Sequence, residues 1–192
     1  MVAAIIRLIM LFFVIFDPFM SFSVFFSITK DFPKRQKRKI AILAVTVAAG
    51  LSFAVLLFGK ILLDIFSTDI QDFRVAGGII LLLLGIKMTL GSPSKDSEQG
   101  GSTGAAIAAV IGTPLITGPA AITAIILTSN DYGKILTGIA VALVLSITFI
   151  FLFFEDAIGK KLGTTLIQVM STILGLITIA WGVDFIRTGL GI

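Results

Sequence analysis

Residues 5–28, IIRLIMLFFVIFDPFMSFSVFFSI, form an apolar run with Asp17 and Pro18 near its middle. A helix needs roughly 20 apolar residues, at about 1.5 Å each, to cross the hydrocarbon core of a bilayer. The run meets that length. It also lacks a basic n-region and a small-residue cleavage site and exceeds the core of a signal peptide, so it is expected to be a first membrane span. Proline removes a backbone donor and crowds the preceding turn. A carboxylate at mid-depth costs at least ~2.5 kcal/mol on the lenient insertion scale. The dipeptide therefore predicts an interrupted helix with something to compensate Asp17.

Working outward, five further apolar stretches lie at about 40–63, 73–90, 104–128, 134–154 and 167–188. Together they predict an all-α polytopic membrane protein of six transmembrane helices. Composition demands the same class: 57% of the 192 residues are hydrophobic and 14% charged, with a mean hydropathy of +1.10, which no water-covered fold of this size sustains. The longest connection, Gly91 to Thr103, is rich in Ser and Gly and carries Lys95, Asp96 and Glu98. It reads as a flexible cytoplasmic linker (91–103) between a first three-helix repeat, 1–90, and a second, 104–192.

Orientation follows the distribution of lysine and arginine. Lys30, Lys34, Arg35, Lys37, Arg38 and Lys39 cluster between spans one and two and are expected on the cytoplasmic side, with Lys95, Lys160 and Lys161. Asp64, Asp69 and Asp72 then fall outside, as do both termini, in an inner or plasma membrane. Lys60, Arg74, Lys134 and Arg187 run against this pattern. Glu155 and Asp156 either form solvated ion pairs with Lys160 and Lys161 in the following turn, the expected reading, or gate a pathway.

The chain has no Cys and no His. That excludes disulfides, thiolate or imidazole metal sites and Cys/His catalytic dyads, and it removes zinc-dependent and rhomboid-like intramembrane proteases. No enzyme, cofactor or metal is expected. The net charge of +4 arises from loops between apolar runs, so it argues for topology rather than nucleic acid.

Three spans per half place the halves in opposite orientations, so similarity between them implies an inverted repeat. Asp17-Pro18-Phe19-Met20-Ser21 aligns with Thr113-Pro114-Leu115-Ile116-Thr117, and Arg74-Val75 with Gln168-Val169. Span four holds Gly112, Pro114, Gly118 and Pro119 within eight residues. Paired breaks at mid-depth are the sequence pointer to a carrier site: exposed amide N–H groups and a positive dipole end hold a carboxylate, while opposing carbonyl ends hold an ammonium. Three roles stay open for Asp17: a proton carrier, a partner for a substrate ammonium, or an N-cap for the helix resuming at Pro18. Ser21 and Thr117 either donate to substrate oxygens or bond back to their own backbone. Gly77, Gly78 and Gly85 are expected to allow close helix contact, and Arg74 and Lys87 to snorkel to opposite interfaces.

Two longer stretches, Phe73-Arg74-Val75-Ala76-Gly77-Gly78-Ile79-Ile80-Leu81-Leu82 and Pro114-Leu115-Ile116-Thr117-Gly118-Pro119-Ala120-Ala121-Ile122, resemble the MarC-type membrane family, which includes small neutral amino acid transporters of the SnatA type. The resemblance runs along essentially the whole chain. It implies six spans as an inverted repeat and uptake of glycine, alanine and similar amino acids, coupled to protons or to sodium. Two departures stand out. The family's first-span Asn-Pro-x-Gly is here Asp17-Pro18-Phe19-Met20, and Ala120 stands where the second-half motif often has glycine.

The expected function is secondary active transport by alternating access around Asp17, Pro18, Phe19, Met20, Ser21, Thr117, Gly118, Pro119 and Ala120, with Asp17 as the proton-coupling group. The expected partners are an amino acid substrate, a proton or sodium ion and the lipid bilayer, with homo-oligomerisation left open. A channel using the same broken helices and a non-transporting membrane scaffold are the alternatives.

Overall fold

A computed structural model describes residues 2–90, 116–159 and 164–192. The chain is all-helical there. In order, the helices are α1 (Val2–Phe16), α2 (Pro18–Thr29), α3 (Lys34–Ile65), α4 (Ile70–Leu90), α5 (Pro119–Tyr132), α6 (Lys134–Phe153), α7 (Glu155–Gly159) and α8 (Thr164–Leu190). Among the described residues, five segments are long and apolar enough to cross a membrane: Val2–Thr29, Lys34–Ile65, Ile70–Leu90, Lys134–Phe153 and Leu166–Leu190. The fourth expected span contributes α5. Its earlier part, with Gly112, Thr113 and Pro114, lies outside the described residues, as do the 91–103 linker, Lys160 and Lys161.

The basic cluster differs from its expected place. Residues 34–39 form the opening turns of α3 rather than a loop, with Pro33 in extended geometry at the N-cap. Lys34, Arg35, Arg38 and Lys39 are exposed there, as long basic side chains whose charged heads reach the interface can be, whereas Lys37 is buried. At the other end of the bundle, one glycine joins α5 to α6. Gly133 has φ of 84°, a left-handed value that a Cβ disfavours.

Cross-helix contacts fix which ends lie together. Arg7 approaches Asp184 at 3.7 Å, bringing the start of α1 to the end of α8. The Lys134 Nζ donates to the Leu57 carbonyl at 2.9 Å, bringing the start of α6 to the end of α3. Successive spans thus alternate in direction.

The core is built on α1, α3, α5 and α6. Phe12, Phe16, Ala41, Ala44, Ala48, Ala124, Ile125, Ala140 and Val144 are buried within one cluster, while Leu43, Leu57, Phe58, Ile61, Leu83, Leu143 and Leu176 face outward as a lipid-exposed face requires. Alanines on α3 let its neighbours approach closely.

The tightest packing joins α4 to α8. A Cβ on Gly78 would stand 2.6 Å from the Gly182 carbonyl oxygen, and one on Gly85 would stand 2.6 Å from that of Gly175. Gly189 meets the Gln71 carbonyl and Val75 in the same way. Partners ascend on one helix as they descend on the other, so the pair is antiparallel. Gly78 and Gly85 have the expected packing role. Gly77 faces a different helix, since a Cβ there would strike the Thr123 side chain of α5.

Candidate functional site

The first span breaks at the expected place. Asp17 has φ of 37° and ψ of 77°, a left-handed conformation that few residues adopt but that Asp and Asn enter several-fold more often than most. Pro18 follows at the first helical position, where the missing N–H is no loss and the fixed φ suits a new helix. The break leaves carbonyls at the end of α1 and amides at the start of α2 without helical partners. Ser21 Oγ donates to the Phe16 carbonyl at 3.1 Å, and the Ser21 N–H donates to the Asp17 carbonyl at 3.0 Å.

The Asp17 carboxylate is bound at both oxygens. Oδ1 accepts from the Met20 N–H at 3.0 Å, which makes Asp17 the N-cap of α2. Oδ2 accepts from the Ser171 hydroxyl of α8 at 2.5 Å. Both residues are buried, at 6% exposure each. Met20 is half-buried. Phe19 packs edge-on against Phe13 of α1 and Phe151 of α6, with ring centroids at 6.0 and 5.4 Å, and so wedges the break open from the side.

In the second half, Gly118 is extended (φ −78°, ψ −178°) and α5 starts with Pro119 at its first position. Pro119 thus opens α5 as Pro18 opens α2, while Thr113 and Pro114, on which the two halves align in sequence, lie outside the described residues. Gly118 offers no side chain, so the first-turn amides of α5 have no side-chain cap. Thr117, 1% exposed, turns away from its own helix: Oγ1 donates to the Ala48 carbonyl of α3 at 3.2 Å and lies 3.3 Å from the Ser52 hydroxyl. Ala120 is buried, Gly118 partly so, and Pro119 exposed.

Of the predicted residues, Asp17 and Ser21 form one polar cluster with Ser171, whereas Thr117 belongs to a second with Ser52. The apolar side chains of Phe16 and Ile116, members of one buried core, are carried on the residues that adjoin the two breaks. No hydrogen bond links the clusters among the described residues. Sequence reasoning missed Ser52 and Ser171. Each is a lone hydroxyl on the buried side of a membrane helix, but nothing local marks which of many hydroxyls faces inward. No group of three or more acidic residues able to hold a metal occurs among the described residues.

Two ion pairs also differ from expectation. Arg74 does not snorkel freely: its Nη2 donates to Asp131 Oδ1 and Oδ2 at 2.7 and 2.9 Å. Glu155 is buried at 2% exposure, and its Oε1 lies 2.7 Å from the Lys37 Nζ. Glu155 thus has a buried partner from the other half of the chain, while the expected partners Lys160 and Lys161 lie outside the described residues.

Comparison with known proteins agrees with this architecture. The model of the MarC family, integral membrane proteins, matches residues 2–192. A UPF0056 membrane protein of Methanocaldococcus jannaschii is 30% identical over 187 residues, 93% of this chain and 91% of that protein. The UPF0056 membrane protein YvbG of Bacillus subtilis is 28% identical over 93% of this chain and 90% of its own length. The UPF0056 inner membrane protein YhgN of Escherichia coli is 25% identical over 92% and 90%. No solved structure matches the chain.

Proposed function

We propose that this chain, which belongs to the MarC family of integral membrane proteins, is a secondary carrier of small neutral amino acids, glycine and alanine foremost, driven by a proton gradient. One observation carries the reading: two helices restart on prolines, Pro18 and Pro119, beside a common core. Helix ends at that depth persist only where protein or a watery cavity satisfies them.

The two ends suit the two charges of an amino acid. The uncapped start of α5 presents amide N–H groups and a positive dipole end to a carboxylate. Asp17 presents a carboxylate to the ammonium, or carries the coupling proton when the ammonium is absent. Ser171 and the Met20 amide hold that carboxylate in place meanwhile. Asp17 in place of the family's asparagine supplies a second anionic oxygen for Ser171, which an amide nitrogen does not.

The packing supports an inverted repeat that relates α2 to α5, α3 to α6 and α4 to α8. α2 packs on α6 as α5 packs on α3, and α2 on α8 as α5 on α4. Exchanging Gly78 with Gly175 and Gly85 with Gly182 maps the α4–α8 glycine contacts onto themselves. Such halves give alternating access by rocking about a fixed site.

The test is uptake of labelled glycine and alanine by purified protein in liposomes with an imposed inward proton gradient, repeated after an ionophore collapses the gradient. Accumulation above equilibrium that vanishes with the ionophore is the expected result. Uptake that only equilibrates makes the protein a facilitator or channel, and none of either substrate refutes the amino acid assignment.

A further inference from the structure

The half-helices α2 and α5 leave the two breaks, and each reaches a buried or half-buried ion pair at its far end. At about 1.5 Å per residue, α2 extends roughly 18 Å from Pro18 and α5 roughly 21 Å from Pro119, each about half a membrane thickness. α2 ends against α7, where Phe26 of α2 lies 6.0 Å from the Lys37 Nζ that pairs with Glu155. α5 carries Asp131 in its last turn, paired with Arg74.

Each pair joins the two halves of the chain. Lys37 on α3 meets Glu155 on α7, and Arg74 on α4 meets Asp131 on α5. The pairs lie at opposite ends of the bundle, because Lys37 opens α3 while Arg74 opens α4, and α3 crosses between them. Separating the partners of a buried pair costs the contact between their charges, so each contact has two energetically distinct states, made and broken. Two halves that rock about a central site separate at one end as they close at the other.

We propose that these ion pairs are the two gates of the carrier: Arg74–Asp131 closes the end that the charge pattern places outside, and Lys37–Glu155 closes the cytoplasmic end. This rests on reading the two breaks as a carrier site, and it names what controls access to that site. Opening one gate requires breaking one pair while the other holds.

Because the chain has no cysteine, a single Met20→Cys reporter measures access directly. Full-length protein in liposomes of defined orientation is treated from either face with a membrane-impermeant maleimide. Arg74→Gln is expected to raise labelling from the outer face about fivefold or more, the lower end of ordinary coupling energies between sites, with no rise from the inner face. Lys37→Gln is expected to do the reverse. Where either variant is not monodisperse, Asp131→Asn or Glu155→Gln replaces it. The charge-exchanged double variants, Arg74→Asp with Asp131→Arg and Lys37→Glu with Glu155→Lys, are expected to return labelling toward the reporter's baseline. Unchanged labelling, or a rise on the same face for both pairs, overturns the gates and leaves the pairs as static fasteners. No substrate enters this experiment, so opposite-sided labelling would stand even if neither glycine nor alanine were transported, and absent labelling changes would sink the gates even if both were.

Discussion

The two helix restarts solve the same problem with opposite chemistry. At Asp17 the chain supplies its own anion: the carboxylate caps α2 through the Met20 amide and is steadied by Ser171 across the bundle. At Gly118 it supplies none, and among the described residues no side chain caps the first turn of α5. A symmetric pair of bare ends would attract two anions, whereas the proposed carrier site pairs one bare end with one carboxylate, as a zwitterion requires.

The largest effect expected from breaking that comparison comes from Asp17→Ala. It removes the cap, worth about 1 kcal/mol of stability, together with the only carboxylate at the site. Gradient-driven glycine uptake should fall to the level of empty liposomes while the protein stays monodisperse by size exclusion. Next in size is Gly118→Asp, which copies the first-half solution into the second. A cap on α5 should raise or preserve the melting temperature, yet its carboxylate competes with the substrate's, and initial uptake rates should drop about tenfold, the equivalent of 1.4 kcal/mol. A variant that is both stabilised and fully active would refute the role given to the uncapped end.

Asp17→Asn sharpens the contrast further. The amide oxygen still caps Met20, so the fold should persist, measured as an unchanged melting temperature, while glycine affinity should fall about tenfold, the equivalent of ~1.4 kcal/mol, with the loss of the charge that faces the ammonium. Uptake should lose its dependence on the proton gradient, because the amide cannot exchange a proton. The smallest effect is expected from Ser171→Ala, which removes one interhelical hydrogen bond of about 0.6 kcal/mol in such settings. A fall in melting temperature of a few degrees or less, with partial restoration by Ser171→Thr, would match that role.

Much of this was legible in the sequence, and the boundary of legibility is physical. Apolar length gave the spans, since bilayer thickness sets it. The Asp17-Pro18 break was readable because proline's effect is local, and the Thr117–Ala120 stretch was marked by its own Gly-Pro step. What the sequence did not show were the partners. Ser171 lies 154 positions from Asp17, and neither spacing nor composition ties them. Glu155 was matched to the nearby lysines by helical proximity, and only tertiary packing brings Lys37, from the other half, to its carboxylate. Arg74 looked like an anchor for the same reason, with Asp131 57 positions away. Polar groups inside a membrane protein choose partners by geometry across helices, which is the information a linear pattern does not carry.

The glycine contacts between α4 and α8 bear on biogenesis. α4 is synthesised and inserted long before α8 leaves the ribosome, and during that interval the groove around Gly78 and Gly85 has only lipid to fill it. Docking of α8 is then the step that completes the bundle and brings Ser171 to Asp17. A chain stalled before that step would hold a buried acid without its hydroxyl partner and a groove without its helix. Completion of the bundle and assembly of the Asp17 cluster thus rest on the same docking event.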